Sequence, residues 1–125
     1  MTVGQALERL DELRPGSPIT ERTKLCWLKE LDGTLRAGLL AEYSRHFSAV
    51  GADTLWDEGL EDDDVLLVPE PFDGLYPHYL CAMTDAALGE NDRYAGEMNR
   101  YNSLLGEFSL WLRKKWPHRA VRMRW

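Results

Sequence analysis

The residues of this chain whose types could carry chemistry are a run of aspartates and three histidines. Asp62, Asp63 and Asp64 offer the carboxylate oxygens that bind divalent cations, but the run lacks the alternating ligands and central glycine of a calcium loop. The histidines have no second ligand at the i+4 spacing of a helical zinc site: they are His46, His78 and His118. The chain also has no Gly-x-Ser-x-Gly motif and no glycine-rich phosphate loop. We therefore expect no metal or other cofactor and no enzymatic activity.

The two cysteines, Cys26 and Cys81, have no metal-ligand spacing either. No apolar run approaches the roughly 18 residues that a membrane helix needs, and the first residues lack the basic and apolar regions of a signal peptide. We expect a chain that makes no membrane contact and stays in a reducing compartment, with both cysteines reduced and buried.

Charge is unevenly distributed along the 125 residues. No lysine or arginine occurs between His46 and Asp92, and nine carboxylates fall within this gap: Asp53, Asp57, Glu58, Glu61, Asp62, Asp63, Asp64, Glu70 and Asp73. The last 13 residues are basic, with Arg113, Lys114, Lys115, Arg119, Arg122 and Arg124. One interpretation is that both segments are solvated and mobile. The other is that the basic end of one copy meets the acidic segment of the next, a heterologous contact that builds a ring or a filament.

Binding to nucleic acid is a poor fit to the whole chain. The net charge is -6 and the pI is about 5.0, so the clustered carboxylates would repel a duplex. We expect DNA contact by the basic end to be incidental, within an assembly.

The hydrophobic pattern predicts a single, mainly helical domain. Thr2 and Gln5 form a capping-box signature at the start of a helix over residues 1–14. Ser17 as N-cap and Pro18 in the first helical position then begin a long helix over residues 18–46. Its apolar stripe is Leu25, Leu28, Leu31, Leu35, Leu39 and Tyr43.

Residues 48–71 lose the helical period and form a long acidic loop. Within it, residues 65–68 are a β-favouring run that predicts a short strand, and Leu55 with Trp56 could complete a β-hairpin.

Residues 73–116 predict a helical hairpin, with Asp73 as the N-cap of its first arm. A heptad-like seam continues through residues 89–92 in the same register, so one unbroken helix is the alternative. Residues 117–125 form a basic arm in which Val121, Met123 and Trp125 alternate with arginines, as in a strand.

Three motifs in this order resemble the head-tail connector (adaptor) proteins from the structural modules of tailed phages and prophages. Motif 1 is Lys24-x-x-Trp27-Leu28-x-x-Leu31-Asp32-Gly33, and motif 3 is Gly89-Glu90-x-x-Arg93-Tyr94. Between them lies motif 2, Leu66-Leu67-Val68-Pro69-x-Pro71-Phe72-Asp73-x-Leu75-Tyr76-x-x-Tyr79-Leu80. The resemblance spans residues 20–116 and excludes the basic arm. It implies a helical virion subunit, assembled in the host cytoplasm, that forms a ring between portal and tail proteins and has no catalytic residues.

Our hypothesis for the contact between copies is that residues 119–125 of one subunit add as a strand beside residues 65–68 of its neighbour. The expected interface residues are Asp62, Asp63, Asp64, Val65, Leu67, Arg119, Val121, Arg122, Met123, Arg124 and Trp125. Two other functions are open: a cytoplasmic regulatory or adaptor module, monomeric or dimeric, whose helical hairpin binds one host protein, and an enzyme that uses the aspartate run as a metal site.

Overall fold

The computed structural model describes residues 1–49 and 61–115, which form four helices. These are α1 (Val3–Leu13), α2 (Glu21–Ala49), α3 (Leu75–Ala87) and α4 (Asn91–Lys115). The prediction of a mainly helical fold is confirmed. The expected partner strand at Leu55 and Trp56 and the basic arm at residues 117–125 lie outside the described residues.

Helix α1 begins with the capping box that its sequence predicts. The backbone N–H of Gln5 donates to Thr2 Oγ1, and the backbone N–H of Thr2 donates to Gln5 Oε1 at 2.9 Å. Both bonds use donors that a helix N-terminus would otherwise leave unpaired. The buried face of α1 is Val3, Ala6, Leu7 and Leu10.

Helix α2 begins later than predicted, at Glu21 rather than at residue 18. The hydroxyl of Ser17 accepts the N–H of Ile19 and closes a local turn, so it does not cap the helix. Thr20 caps it instead, because its hydroxyl accepts the N–H of Thr23 at 3.2 Å. The predicted stripe is present where side chains are described: Leu28, Leu31 and Leu35 are buried and Leu25 is partly buried.

Helix α3 has no side-chain cap, so the prediction that Asp73 caps it is wrong. The N-cap position is Gly74, and the Asp73 carboxylate lies 3.2 Å from the N-terminal ammonium of Met1. Because the Asp73 carboxylate pairs with the fully charged Met1 ammonium, it does not accept a hydrogen bond from the backbone N–H groups at the start of α3.

Residues 88–90 separate α3 from α4, and Gly89 adopts a φ of +76° that favours glycine. The two helices pack antiparallel, since they are joined by only three residues and the start of α3 faces the middle of α4. A Cβ on Gly74 would meet Leu104 at 3.5 Å, and the Tyr79 and Tyr101 rings are 5.3 Å apart. This pair, α1 and the first half of α2 enclose one core whose largest side chains are Tyr76, Phe108, Leu10, Leu28, Leu75, Leu80 and Leu112.

Candidate functional site

The aspartate run forms an ordered turn, residues 61–64, which we call the acidic turn. The N–H of Asp64 donates to the Glu61 carbonyl at 3.1 Å, and the N–H of Glu61 donates to Asp64 Oδ2 at 2.8 Å. The Asp64 carboxylate is therefore used within the turn. Asp62 and Asp63 occupy its two central positions, and both are exposed.

The acidic turn is fixed to the first residues of α1. Val3 N–H donates to the Asp64 carbonyl at 2.9 Å, and Gly4 N–H donates to the Asp62 carbonyl at 3.0 Å. A Cβ on Gly4 would lie 3.3 Å from Asp62 Cβ, so glycine permits the close approach. The turn thus presents the carboxylates of Asp62 and Asp63 on a backbone that is bonded on both sides.

Residues 65–68 do not form the short strand that their composition predicts; in the described part of the chain, the only β pairing is a single bridge between Thr2 and Val65. The N–H groups of this segment bond elsewhere: Leu66 to the Met1 carbonyl, Leu67 to Asp32 Oδ1 and Val68 to the Tyr76 hydroxyl. These three donors are therefore not free to pair with a strand from another copy.

The predicted interface residues in this segment divide into exposed and buried ones. Val65 is 62% exposed and lies on the surface beside the acidic turn, whereas Leu67 is 8% exposed and packs in the core. The alternation of a pleated strand is lost because three consecutive residues, 66–68, are buried. The interface residues Arg119, Val121, Arg122, Met123, Arg124 and Trp125 lie outside the described residues.

A buried carboxylate on α2 holds this segment in place. Asp32 is fully buried; its Oδ1 accepts from the Leu67 N–H at 3.0 Å and from the Tyr76 hydroxyl at 2.6 Å. Its Oδ2 accepts from Arg36 Nε at 2.7 Å, and Arg36 Nη2 donates to the Val65 carbonyl at 3.1 Å. A buried charge needs such a set of partners to offset its lost hydration.

The Tyr76 hydroxyl is both a donor and an acceptor in this network. Burial raises the pKa of Tyr76 far above its ordinary value, and the neighbouring Asp32 carboxylate raises it further. The hydroxyl therefore remains protonated and donates to Asp32 while it accepts the Val68 N–H. Asp32 and Tyr76 together link α2, α3 and residues 67–68 by hydrogen bonds, and we call this pair the Asp32–Tyr76 joint.

The basic last turn of α4 lies at the same end of the bundle as the acidic turn. Arg113, Lys114 and Lys115 are exposed, and the Lys115 ammonium lies 4.7 Å from the centre of the Trp111 ring. The centres of the Trp111 and Phe72 rings are 5.7 Å apart, and Phe72 is followed by Asp73, which binds the Met1 ammonium. Opposite charges therefore occupy the same end of one subunit.

A second polar cluster, which the sequence reasoning missed, lies at the opposite end and along the α3–α4 pair. Glu97 on α4 is buried, with its Oε2 2.7 Å from His78 Nδ1 and its Oε1 3.1 Å from Arg100 Nη1. Arg14 reaches the same carboxylate at 3.4 Å, and its Nε and Nη2 donate to Asp85 at 2.9 Å. The hydrogen bond to Asp85 raises the pKa of Arg14, which stays charged. The one feature of the sequence that pointed to this cluster is that Glu97 directly precedes Met98, a residue of the apolar seam.

The cysteines differ from each other, contrary to the expectation that both are buried. Cys81 is buried, but Cys26 is exposed on α2, with its Sγ 3.6 Å from Glu30 Oε1. Both are free thiols. Cys26 lies off the apolar stripe of its helix, which is why it faces solvent.

The described residues contain neither a metal-binding cluster nor a helix that could span a membrane. In residues 1–49 and 61–115, no three histidine, cysteine, aspartate or glutamate side chains are grouped so that they could hold a metal ion. Over the same ranges, no helix has the length and apolar character needed to cross a membrane.

In comparison with known proteins, no family model, no curated protein and no solved structure matches the chain.

Proposed function

We propose that this protein is a non-enzymatic structural subunit that assembles with copies of itself into a ring, like the head-tail connector proteins that it resembles. In that role the ring joins portal and tail proteins in a virion, contacts DNA only incidentally and is assembled in the host cytoplasm. Each subunit contributes α3 and α4 as a packed helical hairpin, and its charged segments make the contacts between copies.

The observation that carries the proposal is the way in which the motif residues are used. Asp32 of motif 1 binds the Leu67 N–H and the Tyr76 hydroxyl of motif 2, and Tyr76 binds the Val68 N–H. In motif 3, Gly89 supplies the positive φ that ends α3. Asp32, Tyr76 and Gly89 therefore hold the fold together, which is the role expected of motif residues in a structural subunit.

The charged surface supports contact between copies. Asp62 and Asp63 are exposed on a turn whose backbone is already ordered. Binding a partner therefore costs little conformational entropy in the turn. Among the described residues, neither carboxylate is in an ion pair. A contact between this turn and a cationic surface elsewhere on the next copy is heterologous, which is the geometry that builds a ring or a filament.

The test is the mass of the full chain in solution, by sedimentation velocity at high protein concentration and low salt, together with negative-stain electron microscopy. We expect closed rings of one copy number that dissociate as salt is raised, because the contacts between copies are between charges. A monomer or dimer under all conditions would contradict the proposal and favour the alternative, a cytoplasmic helical protein-binding module with a regulatory or adaptor role.

A further inference from the structure

The buried Glu97 carboxylate holds two donor side chains at the surface of the α3–α4 pair. His78 Nδ1 lies 2.7 Å from Glu97 Oε2, so this ring nitrogen carries the hydrogen and Nε2 points away from the carboxylate. Arg100 uses Nη1 to bind Glu97 Oε1, and its side chain is 64% exposed. Most N–H groups of this guanidinium therefore remain available to a ligand.

These two side chains border an open groove of about 330 Å³, which we call the α3–α4 groove. Its lining residues are His78, Asn99, Arg100, Ser103 and Leu104. Three of the polar members can donate a hydrogen bond to a ligand: the amide of Asn99, the hydroxyl of Ser103 and the guanidinium of Arg100. The groove has no carboxylate in its lining, and the nearby Glu97 is already bonded by its three partners. This arrangement is complementary to an oxyanion.

We propose that the α3–α4 groove of one copy receives the acidic turn of a second copy, with the carboxylates of Asp62 and Asp63 bound by Arg100, Asn99 and Ser103. This inference rests on the proposed self-assembly and names its contact. The acidic turn fits the groove because it presents two exposed carboxylates on an ordered backbone. Within one copy, these carboxylates make no ion pair with Arg100, and hydrogen bonds to Val3 and Gly4 fix where they lie.

The contact differs from strand addition at residues 65–68, where the N–H groups of Leu66, Leu67 and Val68 are already bonded. It uses side chains on two separate surfaces, the start of α1 and the middle of the α3–α4 pair. A contact between two different surfaces leaves one copy of each pair with an unused turn and the other with an unused groove, so association continues until a ring closes or a filament forms.

The experiment is charge reversal with mixing, measured by sedimentation velocity on the full chain. One variant carries Arg100→Glu, and the other carries Asp62→Lys with Asp63→Lys. We expect each alone to associate at least tenfold more weakly than the unchanged chain, because its turn and groove then have the same charge. Mixed in equal amounts, the two should recover assembly, since every turn then meets a groove of opposite charge.

Matched variants control for charge and folding. Arg93→Glu and Glu107→Lys reverse exposed charges on α4 outside the groove, and we expect both to associate like the unchanged chain. Thermal melting by circular dichroism establishes that each variant is folded, and recovery on mixing excludes misfolding by itself.

Three outcomes would overturn the inference. If the unchanged chain assembles and both charge reversals assemble equally well, the groove is not the contact, while the ring itself stands. If deletion of residues 119–125 abolishes assembly and Arg100→Glu does not, the basic arm receives the acidic turn. If the unchanged chain is monomeric throughout, both the groove contact and the proposed function are wrong.

Discussion

The Tyr76 hydroxyl lies 2.6 Å from Asp32 Oδ1, and this hydrogen bond joins α3 to α2 across 44 positions of the chain. Both side chains are fully buried, and the same hydroxyl accepts the Val68 N–H at 3.0 Å. One oxygen atom therefore connects two helices and the segment between them, and its removal tests how far the fold depends on this joint.

Tyr76→Phe removes that oxygen and keeps the ring. The Val68 N–H then has no hydroxyl to bind, and Asp32 loses one of its donors, so we expect the free energy of unfolding to fall by about 2 kcal/mol. Urea denaturation followed by circular dichroism measures this change. Tyr94→Phe is the matched control, because Tyr94 is 37% exposed, and should change stability by less than about 0.5 kcal/mol. Equal effects of the two substitutions would mean that the joint contributes nothing.

Asp32→Ala removes the whole acceptor set of the joint. The buried guanidinium of Arg36 loses the carboxylate that lies 2.7 Å from its Nε, and the Leu67 N–H loses its acceptor. We expect a loss of about 3 kcal/mol or more, because removing one member of a buried ion pair leaves the other poorly solvated. The measurement is again urea denaturation.

Glu8→Ala, at an exposed carboxylate of α1, is the control for the loss of a charge. A double-mutant cycle with Tyr76→Phe separates the pair energy from the rest, and we expect the two substitutions to be non-additive. Full additivity would show that Asp32 and Tyr76 stabilise the fold independently.

Local signals in the sequence predicted that the helices exist better than they predicted where each helix begins. The capping box of Thr2 and Gln5 is found as predicted, because its partners are three residues apart and nothing distant competes for them. Asp73 was equally plausible as a cap, but the Met1 ammonium, distant in sequence, binds its carboxylate. Ser17 caps nothing because the Ile19 N–H, two residues away, takes its hydroxyl.

The polar joints of the fold could not be predicted from periodicity. Asp32 and Glu97 are single acidic residues within amphipathic helices, where a carboxylate normally faces water. Their burial depends on partners from other elements: Tyr76 and the Leu67 N–H for Asp32, and His78 for Glu97. The prediction of a strand at residues 65–68 failed for the same reason. Their apolar composition does not reveal that the side chains of Asp32 and Tyr76 bind the N–H groups of residues 67 and 68.

The two cysteines should differ in reactivity. Burial raises the pKa of the Cys81 thiol to about 11, whereas Cys26 is exposed. Because the thiolate is the reactive form, we expect a disulfide reagent at pH 8 to label one thiol of the native chain quickly and the second only after unfolding in urea. Cys26→Ser should remove the fast phase, and Cys81→Ala should leave it unchanged. A fast phase that survives Cys26→Ser would contradict the burial of Cys81.

The same raised pKa links stability to alkaline pH. The unfolded thiol ionises near its ordinary pKa of about 9.0 and the folded thiol only near about 11, so the unfolded state loses its proton first. Stability due to Cys81 is therefore complete below about pH 9 and is lost as pH rises towards 11. Tyr76, Tyr79 and Tyr101, whose pKa values burial also raises, add to the fall. Cys81→Ala should make the fall between these pH values shallower, and an unchanged profile would contradict the linkage.

Thr84 offers a substitution that should stabilise the protein. Its side chain is fully buried on α3, and its Oγ1 has no hydrogen-bond partner among the described residues. Burying an unpaired hydroxyl is unfavourable, so Thr84→Val, which replaces the hydroxyl by a methyl group of similar size, should raise the free energy of unfolding by about 1 kcal/mol. Thr84→Ser is the matched control: it keeps the hydroxyl, removes the methyl group and should destabilise by about 1 kcal/mol. Thermal and urea unfolding measure both, and a valine variant less stable than the unchanged chain would show that the hydroxyl is bonded in solution.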